Sequence, residues 1–332
     1  LSSVEPLLPG KLKGRLLLGL AFGAAVYLGL CLWADGPKVL EALANFPASW
    51  VAVAMALSFS NYLVRFVRWE RYRAILGIEM SHRLSLRIYL AGLALTVTPG
   101  KMGEAFRSIL IRAEDGTPIS RSAPMVVAER FTDLLGFLLL LALGGLASHP
   151  EQLWIFLGTL ALCVVLAGLL ASQRVSRGVL GIVARLPLLR RFGPHLENAL
   201  RSSRELLTPR ELPLATVLAT IGWGLEACAF FLVCEALVPG AASLSFAVYT
   251  FALSSIVGAV LVIFPGGLGV TEASMSGLLT GRFKAAGLAP SLAATQALTA
   301  TLVIRLATLW FAVAVGLGAL GLHSLARRKA AR

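Results

Sequence analysis

Residues 16–34, 46–64, 153–173 and 236–271 carry no Asp, Glu, Lys or Arg. At 1.5 Å of rise per residue, each run reaches or exceeds the helix length that crosses about 30 Å of hydrocarbon. Composition points the same way. With 57% hydrophobic and 14% charged residues and a mean hydropathy of +0.81, 332 residues hold too little polar surface to cover a soluble globule. The fold class read from the chain is an all-α polytopic membrane protein, a single integral membrane domain over 1–332.

The net charge of +13 does not mark a nucleic-acid partner, because Lys and Arg sit between apolar spans and not on one domain face. Cys31, Cys163, Cys228 and Cys234 all fall in apolar runs without metal-ligand spacing and read as packing thiols. The first run is longer than an ordinary leader's apolar core and no small-residue cleavage site follows it, so it reads as a helix.

Spans are expected at 16–34, 48–67, 124–147, 153–171, 212–236 and 291–322. Between them lie two broken hairpins, 84–112 and 244–282, and a polar cytoplasmic stretch, 172–210. If each hairpin returns the chain to its starting side, one face receives 23 Lys and Arg and the other three. The positive-inside rule then places both termini in the cytoplasm of a cell whose plasma membrane holds the protein.

The hairpins nearly repeat each other. Thr98-Pro99-Gly100-Lys101-Met102-Gly103-Glu104 and Phe264-Pro265-Gly266-Gly267-Leu268-Gly269-Val270-Thr271-Glu272 each set helix breakers and a carboxylate at membrane depth. Pro lacks an N–H and Gly tolerates unusual dihedrals, so both sites interrupt helices where lipid cannot satisfy the opened backbone. Pro99, Gly100, Gly103, Pro265, Gly266, Gly267 and Gly269 are read as hairpin tips. Span, broken hairpin, span occurs twice in opposite orientation, over about 48–148 and 212–322, the pattern of an inverted-topology repeat with re-entrant segments.

Nine charges fall inside the spans: Lys101, Glu104, Arg107, Glu129, Arg130, Asp133, Glu226, Glu272 and Arg305. Each costs about 2.5 to 3.5 kcal/mol to insert alone, so the set must be paired, wet or functional. Glu104 with Arg107 and Arg130 with Asp133 stand three apart and can pair on one helix face. Arg305 has no local acid. It either pairs across the repeat interface, with Glu272 or Glu226, or joins Arg107 and Arg130 in receiving a phosphate. Glu104 and Glu272 either cap the half-helices that follow each Pro-Gly or leave those N-termini to an anion and bind protons or an amine themselves.

Arg65, Arg68 and Trp69 belong to a stretch where arginines alternate with aromatics, a composition suited to headgroup depth. The histidines His82, His149, His195 and His323 are scattered at span ends and read as interfacial, with no metal-binding pair among them. No catalytic motif stands out, so neither an enzyme nor a cofactor is expected.

Asn61-Tyr62-Leu63-Val64-Arg65-Phe66-Val67-Arg68-Trp69, the first Pro-Gly motif with Arg107, Glu129-Arg130-Phe131-Thr132-Asp133 and the second Pro-Gly motif occur in that order. In this the chain resembles the lysylphosphatidylglycerol synthase transmembrane-region family over nearly its whole length. In two-domain members, the multiple peptide resistance factors, this region is linked to moving an aminoacylated phospholipid between leaflets, and a soluble domain makes that lipid. The chain stops at Arg332, so the resemblance implies lipid handling without synthesis: a flippase or scramblase for an anionic phospholipid, polyprenyl-phosphate-linked or related envelope lipid. Two other readings stay open. One is an enzyme acting on a polyprenyl phosphate, although the Ser-Arg-Ser-Gly run of undecaprenyl pyrophosphate phosphatases is replaced here; the other is a scaffold for an envelope-lipid synthase. Expected partners are the lipid itself, such a synthase, or a second copy.

Overall fold

The computed structural model describes residues 10–33, 36–98, 102–145, 153–172, 174, 177–178, 180–181, 193–260 and 267–330. Among these there is no strand. The helices are α1 (Gly10–Trp33), α2 (Gly36–Ala44), α3 (Ala48–Ile75), α4 (His82–Gly92), α5 (Met102–Asp115), α6 (Ile119–Ser122), α7 (Pro124–Leu143), α8 (Leu153–Ala171), α9 (Gly193–Leu206), α10 (Glu211–Leu237), α11 (Leu244–Val260), α12 (Val270–Ala285), α13 (Pro290–Arg305) and α14 (Phe311–Ala330).

Among the described residues three helical stretches are long and apolar enough to cross a membrane: Ala48–Ile75, Glu211–Leu237 and Pro290–Arg327. The last runs from α13 to α14 through one π-helical segment, Leu306–Trp310. Leu143, Trp154 and Leu17 stay 75%, 72% and 65% exposed, an arrangement suited to lipid and costly in water.

Boundaries follow local chemistry. Ser81 caps α4 by accepting from the Leu84 N–H, and Pro opens both α7 and α13, where its missing N–H costs nothing. The first hairpin leaves α geometry after Gly92 through a 3₁₀ turn at Leu93–Leu95, and α5 begins at Met102; in the second, the described part of α11 runs to Val260 and α12 begins at Val270, after non-α residues 267–269. Gly267 and Gly269 have φ of 71° and 88°, and a Cβ on Gly267 would stand 2.8 Å from Thr271 Oγ1, so only glycine fits there. Pro99, Gly100, Lys101, Pro265 and Gly266 lie outside the described residues.

Two differences from the sequence reading stand out. α2 is a helix where charge marks only a connection, because Val39 is buried against Leu298 and Leu302. α3 continues past Val67 to Ile75, and its Arg65, Arg68 and Arg73 are buried.

α3 and α10 pack along each other, and α7 packs against α10 and α11. Small residues bring these helices close: a Cβ on Gly136 of α7 would approach Ala219 Cβ of α10 to 3.1 Å. Polar contacts tie connections together at each end of the bundle. At one end Arg71 pairs with Glu211, Arg121 with Glu205 (2.8 Å), Asn198 with Ser120 (3.1 Å) and His323 with Glu114 (3.3 Å). At the other, Arg282 Nε donates to the Ala241 carbonyl at 2.7 Å.

Candidate functional site: a buried arginine cluster

α3 turns a polar stripe inward. Ser58, Asn61, Arg65, Arg68 and Tyr72 recur at three- and four-residue spacing, and all are buried. α7 answers with Glu129, Thr132, Asp133 and Gly136, also on one face and buried.

Arg68 is 1% exposed. It donates through Nη1 to Thr132 Oγ1 and through Nη2 to Asp133 Oδ1, both at 2.8 Å. Asp133 Oδ2 lies 3.3 Å from Arg130 Nη2 and 3.6 Å from Arg65 Nη2, so one carboxylate gathers three guanidinium groups. The expected Arg130–Asp133 pair is therefore present, as one contact of three.

Arg107 of α5 donates through Nη1 to Glu129 Oε2 at 2.8 Å. Its guanidinium lies 4.7 Å from the Tyr89 ring centroid and 5.1 Å from that of Trp69, positions that favour a desolvated cation. Gly92 leaves the room: a Cβ there would come within 2.5 Å of Arg107 Cγ. The partner of Arg107 thus comes from α7, 22 residues away. Glu104 sits in the first turn of α5, one residue past Gly103, and its side chain lies outside the described residues.

Glu129 interacts electrostatically with all four arginines, 107, 68, 65 and 130. Among the described residues these four guanidinium groups, that of Arg130 partly exposed, surround Glu129 and Asp133, and Glu226 interacts with Arg65 as well. Arg68 Nε, Arg107 Nε, Tyr89 OH and Glu129 Oε1 are buried without a hydrogen-bond partner among the described residues. A buried donor left unmade costs about 1–3 kcal/mol.

A second charged group adjoins the first. Arg305 Nε donates to Glu272 Oε1 at 2.6 Å, the cross-element pair that the lone Arg305 implied. Glu272 Oε2 accepts from the Gly269 N–H at 2.7 Å, so the same side chain also caps α12. Trp310 Nε1 donates to Tyr27 OH at 2.9 Å, and the Tyr27 hydroxyl interacts with Arg305. Asn61 Nδ2 donates to Glu226 Oε1 at 2.6 Å. Glu226 interacts electrostatically with Arg65, Arg305 and Asp133, linking the two groups.

Several sequence assignments change. Arg65 (5% exposed), Arg68 (1%) and Trp69 (1%) do not face headgroups; their helix face is turned inward, where Arg65 pairs with Asp133, Arg68 donates to Thr132 and Asp133, and Trp69 donates to Ser85. His323 is buried against Glu114, unlike a side chain at the interface. Asn61 and Thr132 stand in the motifs without an assigned role, and Tyr89 and Gly92 lie outside them. The spacing of Asn61, Arg65 and Arg68 marks one helix face, and it could have identified the inward stripe. Among the described residues no group of His, Cys, Asp and Glu is placed to hold a metal ion.

Residues 16–316 match the family model described as the lysylphosphatidylglycerol synthase TM region. The chain belongs to that family. It is 26% identical over 313 residues to a UPF0104 membrane protein of Methanothermobacter thermautotrophicus, covering 89% of this chain and 90% of that protein. It is 23% identical over 321 residues to a UPF0104 membrane protein of Pyrococcus horikoshii, covering 89% and 93%. No solved structure matches the chain. In this member of the family, three of the four motifs quoted above supply the arginine cluster: α3 brings Arg65 and Arg68, α5 brings Arg107, and α7 brings Glu129, Arg130 and Asp133. The fourth supplies Glu272 to the Arg305 pair. Membership and apolar helices together make the chain an integral membrane protein.

Proposed function

We propose that the protein moves an anionic lipid between leaflets, and that the buried arginine cluster receives the lipid phosphate. The observation that carries this reading is the buried gathering of guanidinium groups around Glu129, in which Arg68 Nε, Arg107 Nε and the Tyr89 hydroxyl have no hydrogen-bond partner among the described residues. Guanidinium groups present planar forks of donors that match phosphate oxygens, and in a desolvated interior such charge-assisted bonds are strong. The family's description names a synthase of an aminoacylated anionic phospholipid, which supports a lipid as ligand.

The lipid class is an anionic phospholipid, a polyprenyl-phosphate-linked lipid or a related envelope lipid, carried without chemical change. In this reading residues 48–148 and 212–322 act as inverted repeats, each with a broken, re-entrant hairpin. The basic end of the bundle, with both termini, faces the cytoplasm across the plasma membrane.

Reconstitution into vesicles containing a fluorescent phosphatidylglycerol tests the reading. Wild-type protein is expected to speed exchange between leaflets, and Arg68→Gln and Arg107→Gln to slow it about tenfold or more, the effect of about 1.4 kcal/mol at one contact. Leu143→Ala, on the lipid-facing surface, is expected to leave it unchanged. Exchange equal to that of protein-free vesicles, or Arg variants as fast as wild type at equal insertion, would overturn it.

A further inference from the structure

Glu226 lies near the middle of α10 and is 4% exposed, yet its direct hydrogen bond is to a neutral group, the Asn61 amide. The charged and titratable groups around it have other commitments. Arg65 of α3 reaches Asp133 of α7, and Arg305 of α13 is bonded to Glu272. The Tyr62 hydroxyl of α3 donates to the Thr308 carbonyl at 2.9 Å. A buried carboxylate held by a neutral amide is costly as an anion and loses that cost when it takes a proton.

Asn61 suits both states. Its Nδ2 donates to Glu226, while its Oδ1, fully buried, has no partner among the described residues. Turning the amide over would present Oδ1 as acceptor to a carboxyl O–H, so the pair can hold or lose a proton with no movement of helices. The room for that turn is kept by Gly222, one helical turn before Glu226: a Cβ there would stand 2.6 Å from Asn61 Oδ1.

We propose that Glu226 is a proton-binding site, with Asn61 as its two-way hydrogen-bond partner, and that its proton is taken up together with the anion received at the arginine cluster. The second clause rests on the function proposed above. Its basis is charge. Arg65, Arg68, Arg107, Arg130 and Arg305 face Glu129, Asp133, Glu226 and Glu272 among the described residues. A proton on Glu226 removes one carboxylate beside Arg65 and leaves the interior more attractive to phosphate. By reciprocity a phosphate at the cluster favours the proton. Lipid and proton then travel as a pair, with less net charge moved than either would carry alone.

Infrared difference spectra across a pH titration test this, with the full chain in nanodiscs of phosphatidylcholine or of phosphatidylcholine with phosphatidylglycerol. A carboxyl C=O band is expected to appear on acidification, to vanish in Glu226→Gln, and to change frequency in Asn61→Leu. Glu226→Gln copies the protonated form and is expected to fold. Phosphatidylglycerol is expected to move the titration to higher pH by about half a unit or more. That movement should shrink in Arg68→Gln, which separates binding at the cluster from the general surface potential. A spectrum in which Glu226→Gln removes no titrating band overturns the proton site. A band that titrates identically in both nanodiscs overturns the coupling. Neither result depends on leaflet exchange, so failure of the transport reading is seen separately.

Discussion

Arg305 and Glu272, 33 residues apart in sequence, meet at 2.6 Å between the consecutive helices α12 and α13, and the other oxygen of Glu272 holds the Gly269 N–H at the start of α12. Ion pairing and helix capping, which looked like competing roles for this carboxylate, are shared between its two oxygens. The second glycine-rich break is thereby clamped to the long C-terminal helical stretch just before its π-helical segment, Leu306–Trp310.

Removing one member of this pair strands the other. Arg305→Gln is expected to lower stability by about 3–5 kcal/mol, and adding Glu272→Gln to recover part of that loss. Recovery should stop short of wild type, because a carboxamide oxygen caps Gly269 less well than a carboxylate. Thermal unfolding of the purified single and double variants measures this. A double variant no more stable than Arg305→Gln would mean that the pair is not the coupled unit described here.

Asp133 and Arg130 should rank very differently. Asp133→Asn removes the anion beside Arg65, Arg68 and Arg130, whereas Arg130→Gln removes one partly exposed cation from the same group. The first substitution is expected to cost several kcal/mol and the second about 1 kcal/mol or less. Melting curves in detergent decide the order, and equal losses would contradict the geometry.

Gly92→Ala probes the seat of Arg107. Its Cβ would press on a side chain fixed between Glu129, Trp69 and Tyr89, and overpacking of this kind costs about 1–3 kcal/mol. A shift in Trp69 fluorescence is expected along with slower lipid exchange, measured against a background with the other tryptophans replaced. An unchanged spectrum would show that Arg107 is not held over the ring.

Orientation is open to labelling from one side in a background without Cys31, Cys163, Cys228 and Cys234. Arg201→Cys, at a side chain 75% exposed, and Pro239→Cys, in an exposed turn, stand at opposite ends of the bundle. A membrane-impermeant maleimide added to intact cells is expected to label position 239 and to spare 201. The reverse pattern would invert the assignment.

The chain alone determined the fold class, because charge-free runs of span length have no other stable home, and it marked where helices are expected to break, because glycine and proline act within one or two residues of themselves. It also marked which charges needed explanation, since an unpaired charge in hydrocarbon is costly at any position. The tertiary structure decided the partners. Sequence spacing reveals pairs within one helix, as for Arg130 and Asp133, but Arg107 with Glu129, Arg68 with Asp133 and Asn61 with Glu226 join different helices whose mutual rotation no local pattern encodes. Arginines interleaved with aromatics suit a headgroup interface or a buried stripe equally well by composition. Which of the two they form depended on the acids that α7 and α10 brought opposite them.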